Sequence, residues 1–187
     1  MTTSAATALR LYVAELRQLF DSMDPAPFRE RDLDRQAADY IVDSAREAPA
    51  GTALALQVQL GREPANEATV AMLRDAVHEH FERQAAGRRR DLSRLFRTGR
   101  ISLAIGLAFL AGAIALANWL GGLIEHEGYA WLVSESLIIG GWVALWRPLE
   151  IFLYDWWPIR ADARLFDRLA AMPVSLRGAD AAAGSAE

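Results

Sequence analysis

The chain has 187 residues, a net charge of −4, 52% hydrophobic residues and a mean hydropathy of +0.07. It has no cysteine, which excludes disulfides, thiolate metal sites and cysteine nucleophiles. All 20 basic residues are arginine, and the mild acidic balance points to no nucleic-acid partner.

Residues 1–7 are small and polar and are expected to fray. Leu9, Leu11 and Val13 alternate with Arg10, Tyr12 and Ala14, the period of a strand. Glu15 to Phe20 extends that strand or makes a helical turn, and the turn is preferred. No signal peptide is expected, because Glu15 and Arg17 interrupt the first apolar stretch. Asp24-Pro25-Ala26-Pro27-Phe28 reads as a rigid loop, each proline fixing its own φ.

Asp32-Leu33-Asp34 opens a helix, with carboxylates at its positive end. Leu33, Ala37, Ile41 and Ala45 share one face, and Pro49 to Gly51 ends it. Leu54, Leu56, Val58 and Leu60 alternate with Ala55, Gln57 and Gln59, the clearest strand in the chain. A second helix from about residue 66 carries the stripe Val70, Leu73, Val77 and Phe81. It is expected to continue through Arg88, Arg89, Arg90, Arg94, Arg97 and Arg100 into an apolar run.

That run, Ile101 to Ile124, has 24 residues and no charged side chain. About 20 residues at 1.5 Å each cross a hydrocarbon core of about 30 Å. A polar turn at 125–128 leads to a second apolar stretch from Tyr129 to Trp146. Arginines flank both far ends, and the connecting turn has none, so both termini are predicted to be cytoplasmic. Trp119, Tyr129 and Trp131 mark the outer boundary, and Trp146, Tyr154, Trp156 and Trp157 the inner one.

The expected fold is therefore α+β. A βαβα cytoplasmic domain over 1–86 has two parallel strands. An Arg-rich juxtamembrane helix follows at 87–100, then transmembrane helices at 101–124 and 129–147 around the external turn 125–128. An interfacial segment at 148–158, a C-terminal helix at 159–176 and a disordered tail at 177–187 complete the chain. Two strands leave sheet edges open, which predicts cover by another subunit or a partner.

Few residues are candidates for chemistry. Glu135 is the one acidic residue inside a span, at a depth similar to Asn118, and reads as a structural hydrogen-bond group or an ion site in an oligomer. Ser134 or Ser136 is expected to help hold it. Arg147, Glu150 and Asp155 form either a membrane-boundary lock or a site for lipid phosphate or a partner. Arg88, Arg89 and Arg90 would attract anionic headgroups. Ala104, Ala108 and Gly112, and likewise Ser136, Gly140 and Ala144, suit close helix packing within the hairpin or between subunits. His78-Glu79-His80 has the wrong spacing for a zinc pair on one helix face. No phosphate-binding, dinucleotide or nucleophile-elbow motif is present, and no catalytic residue, metal or cofactor is assigned.

Residues 19–34, LFDSMDPAPFRERDLD, and 146–158, WRPLEIFLYDWWP, resemble a family of uncharacterised small bacterial membrane proteins, over most of residues 8–175. The resemblance implies a bacterial inner-membrane setting and carries over no catalytic residue. The leading expectation is a non-enzymatic homo-oligomeric scaffold that recruits a cytoplasmic protein. An oligomeric ion or proton pore with Glu135 facing the axis is the second. A lipid enzyme at the Arg147–Asp155 boundary is the third.

Overall fold

The computed structural model describes residues 7–20, 32–49, 51–62, 64–121 and 127–178. The loop at 24–28, turn residues 125 and 126, and the tail from 179 lie outside the described residues. The chain divides into two compact units, one from Met1–Gly87 with Asp162–Glu187, the other from Arg88–Ala161.

The first unit holds strand β1 (Thr7–Val13), helix α1 (Arg35–Glu47) and strand β2 (Leu54–Leu60). It also holds α2 (Glu67–Gly121) as far as Gly87, the end of α5 (Trp156–Ala170), and strand β3 (Val174–Arg177). The strands lie in the order β1-β2-β3, all parallel. Leu16–Leu19 forms a 3-10 turn. Asp34 caps α1, its carboxylate accepting from the amides of Gln36 and Ala37 at 2.9 and 3.2 Å. Asn66 does the same for α2, accepting from the Thr69 amide at 2.7 Å. Gly51, at φ 83, supplies the left-handed residue of the turn into β2.

The third strand corrects the expected two-stranded unit and the helix expected at 159–176. Helix α5 stops at Ala170 because Pro173 cannot continue it. Val174 and Leu176 then turn inward while Ser175 and Arg177 turn outward. Four residues are too few for period two to stand out in a sequence. The amide of Leu56 donates to the Pro173 carbonyl at 2.9 Å, and the Ser175 hydroxyl to the Leu56 carbonyl at 3.2 Å. The free edge of β2 is thus filled by the chain's own C-terminal strand. At β1, the Tyr40 hydroxyl donates to the Arg10 carbonyl at 3.3 Å.

One face of the sheet carries Leu9, Leu54, Leu56, Val58, Leu60 and Val174 into a core with Ile41, Ala45, Leu73, Val77, Phe81, Phe166 and Leu169. Each such aliphatic or aromatic side chain contributes about 1.5–3 kcal/mol by leaving water. Leu16, Leu19, Phe20 and Leu33 close one end of that core. Arg46 to Asp162 at 3.3 Å and Arg168 to the Thr52 carbonyl at 2.6 Å hold α5 in place. The opposite face carries Ala8, Arg10, Tyr12, Ala55, Gln57, Gln59, Ser175 and Arg177, all exposed or half-buried, and no helix among the described residues covers it. Parallel sheets are ordinarily covered on both faces.

The second unit contains α2 from Arg88 onward, α3 (Glu127–Ala144), α4 (Trp146–Glu150), a π-helical turn (Ile151–Asp155) and the start of α5. Glu127 and Gly128, expected in the turn, belong to α3; an acidic residue suits a helix N-terminus. Pro148 has no amide to donate and its ring crowds the carbonyl four residues back, so α3 ends at Ala144. The expected interfacial segment, 148–158, is helical throughout.

Two helical stretches, Glu67–Trp119 and Glu135–Ala170, are long and apolar enough to cross a membrane. In their most apolar windows only 17% and 22% of residues are buried, so protein leaves most of that apolar surface uncovered. Ile105, Phe109, Trp119, Trp131, Ile139 and Trp142 all stand exposed.

Candidate functional site

In the second unit, close backbone approach is made by glycines. A Cβ on Gly99 would lie 2.8 Å from the Ile151 side chain, one on Gly106 2.9 Å from Leu145, and one on Gly141 2.5 Å from Leu110. These pairs set an antiparallel register. Continued at 1.5 Å per residue, it brings Asn118 and Glu135 to levels within about 3 Å of each other. Both side chains are exposed, and no hydrogen bond joins them among the described residues. Ser136 donates to the Leu132 carbonyl of its own helix at 2.8 Å. Ala104, Ala108, Gly112, Ser136 and Gly140 face outward, and a Cβ on Gly112 or Gly140 would meet nothing within 4 Å. The hairpin closes instead on Gly106, Ala113, Ala117 and Gly141.

At the arginine-flanked end, Arg147 Nη1 lies 3.0 Å from Glu150 Oε2 and 3.4 Å from Asp155 Oδ2. The Trp146 indole N–H donates to the other Glu150 oxygen at 3.0 Å. The π turn lies between Arg147 and Asp155 and accompanies their approach; such turns within helices are rare and concentrate at functional sites. One guanidinium shared by two carboxylates carries no surplus positive charge. The pairs are solvent-exposed and each contributes at most about 1 kcal/mol in water. Beside them Phe96 stacks on Phe152 at 6.2 Å, and Arg160 lies 5.5 Å over the Trp156 ring. Of the three consecutive arginines, Arg88 reaches Asp91 at 3.9 Å, and Arg89 and Arg90 are exposed.

In the first unit, the two histidines have separate structural partners. His78 Nε2 donates to the Met172 carbonyl at 2.9 Å. His80 sits near the Arg83–Asp32 ion pair, and its pKa lies below 6.5. Burial is the main cause, since it disfavours the imidazolium; Asp32 opposes the shift and Arg83 adds to it. Among the described residues no three His, Asp or Glu side chains converge on a point that holds a metal.

The uncovered sheet face is the site that sequence reasoning missed. Its register runs Arg10, Gln57, Ser175 across one row and Tyr12, Gln59, Arg177 across the next. All of these but Ser175, with Leu11 and Val58, line a depression of about 340 Å³. Tyr12 is 69% exposed, and a Cβ on Gly61 would come within 2.6 Å of its hydroxyl. Glycine there leaves room for the ring. The alternation of β1 and β2 places four of these residues on one side, but Arg177 joins them only through β3.

No family model, curated protein or solved structure matches the chain. Function is therefore read from its own residues.

Proposed function

We propose that the chain is an integral protein of the bacterial inner membrane that presents its α/β unit at the cytoplasmic surface as a non-enzymatic recruitment platform, assembled as a homo-oligomer. The observation that carries this reading is the open face of the parallel sheet. A small domain that leaves one face of its central sheet polar and bare has a surface for a partner. The uncovered apolar helices supply the anchor.

Sidedness has two supports. Arginines flank the ends of both spans that lie away from the connecting turn and are missing from the turn itself. In addition, β3 follows both spans in sequence yet pairs with β2, which precedes them. Strands of one sheet share one aqueous compartment. On the arginine side, Arg89 and Arg90 meet anionic headgroups.

The test uses the absence of native cysteine. Single cysteines at positions 126 and 175 are offered a membrane-impermeant maleimide in spheroplasts. His126→Cys is expected to label in intact spheroplasts, and Ser175→Cys only after lysis. The reverse pattern, or release of the chain by alkaline carbonate, removes the reading.

Glu135 favours a second reading, a proton or ion path, because its carboxylate is exposed on the hairpin. Cation flux into proteoliposomes that Glu135→Gln abolishes would establish a pore; no flux above empty liposomes dismisses it.

A further inference from the structure

We infer that the open sheet face docks an acidic, extended segment of a partner protein, with Arg10 and Arg177 as its two carboxylate ligands. This inference rests on the platform reading and names the partner's chemistry. Arg10 and Arg177 stand on the two outer strands, on opposite sides of Gln57 and Gln59. With strands about 4.8 Å apart and 3.3 Å per residue, two strands across and two residues along separate their Cα atoms by about 12 Å. Two carboxylates four residues apart on an extended chain are separated by about 13 Å. One segment lying across the sheet thus meets both guanidinium groups.

The charge on this face is one-sided. None of its outward-facing residues is acidic. Elsewhere in the same unit Arg17 and Arg62 both reach Glu15, Arg46 reaches Asp43 and Asp162, and Arg83 pairs with Asp32, while Arg35, Arg74 and Arg164 lie on helices away from this face. Arg10 and Arg177 have no ion pair among the described residues. Guanidinium groups bind carboxylates through two parallel hydrogen bonds when the partner is planar and accessible.

The residues between them favour a peptide over a phosphate chain. Each glutamine offers an acceptor oxygen as well as two donor hydrogens. Peptide N–H groups satisfy those acceptors, whereas phosphate oxygens cannot donate. Two arginines on a chain of net charge −4 also make a poor footprint for nucleic acid, whose affinity is built from many phosphate contacts. The exposed Tyr12 ring adds a flat apolar surface beside Arg177's row.

The experiment uses the full chain in zwitterionic nanodiscs and fluorescein-labelled peptides followed by anisotropy. One peptide carries two aspartates four residues apart; a second carries them adjacent; a third carries asparagines. The first is expected to bind best. Arg10→Ala and Arg177→Ala should each weaken it by about tenfold, as for loss of one charge-assisted contact. Arg35→Ala, on an exposed position of α1, should leave it unchanged. Lysine at positions 10 and 177 keeps the charge without the fork and should fall between wild type and alanine.

Equal binding by the double alanine variant overturns the inference. So does tighter binding of tripolyphosphate or single-stranded DNA through the same arginines, which would identify a phosphate site. A drop in particle mass on reversing both charges also overturns it, because a second copy would then be the occupant. Carbonate extraction run alongside separates the two claims. A chain stripped from membranes refutes the platform, while an anchored chain whose peptide binding ignores both arginines refutes only the docking face.

Discussion

The two units bury opposite kinds of residue. The α/β unit hides its large side chains: Phe81, Leu56, Leu73, Ile41 and Leu169 are essentially inaccessible, and its outward sheet face is arginine, glutamine and tyrosine. The hairpin unit, apart from Leu145, Pro148 and Ile151 near its arginine-flanked end, hides Gly106, Ala113, Ala117 and Gly141 and turns tryptophan, isoleucine and phenylalanine outward. The first pattern is that of a domain in water, the second that expected of helices in hydrocarbon. In water, folding gains by removing large apolar groups from solvent. In hydrocarbon that gain vanishes, and helices associate where small residues let backbones approach.

The largest expected effect breaks this comparison at its plainest point. Phe81→Ala removes a ring that stacks on Phe166 at 6.3 Å, and should destabilise the α/β unit by about 3–5 kcal/mol. Phe109→Ala removes a ring of the same size that is 57% exposed, and should change stability by less than about 1 kcal/mol. Hydrogen exchange at the amides of Leu56 and Val58 reads the first unit alone. Equal losses from both substitutions would mean that the hairpin also relies on burial from water.

The second effect lies within the hairpin. Gly141→Leu forces a side chain into Leu110 and should cost about 1–3 kcal/mol. Gly140→Leu points into open space and should stay within about 0.5 kcal/mol for the hairpin itself. All six tryptophans lie between residues 119 and 157, so their fluorescence during detergent denaturation follows this unit only. If Gly140→Leu leaves the fluorescence transition in place and dissociates an oligomer, the outward small residues belong to contacts between copies.

The smallest effect concerns pH. The folded pKa of His80 lies below 6.5, the value it regains on unfolding. Above 6.5 the ring is neutral in both states, and its contribution to stability is complete. Below 6.5 the unfolded chain takes up the proton first, so stability falls as pH drops towards the folded pKa. Amide protection in β2 should therefore decline on acidification, and His80→Gln should flatten that decline. The hairpin's fluorescence transition should not follow it.

Much of the α/β unit was legible because its side chains choose between water and a core. The alternation over residues 54–60 matches β2 throughout, the pair Asp32 and Asp34 announces the cap of α1, and Leu73, Val77 and Phe81 mark the buried stripe of α2. The third strand was hidden because its pattern is four residues long and its partner lies more than a hundred residues earlier. In the hairpin, length and composition reveal the apolar helices but not their rotation. When both protein and surroundings are apolar, hydropathy does not say which side faces in. Ala104, Ala108 and Gly112 thus read as packing residues as readily as Gly106 and Gly141, and only the latter pair close the hairpin. The exposed sheet face was half legible: Arg10, Tyr12, Gln57 and Gln59 fall on one side of two strands, and Arg177 needed the third.

The position of β3 also sets a timetable. A ribosome adding about 5–20 residues per second releases β1, α1 and β2 many seconds before the last strand. During that interval both apolar helices are made and must find their place, while the edge of β2 stands open. Val174–Arg177 reaches that edge only after both apolar helices have been made. The sheet is therefore completed last, by a strand more than a hundred residues from its partner.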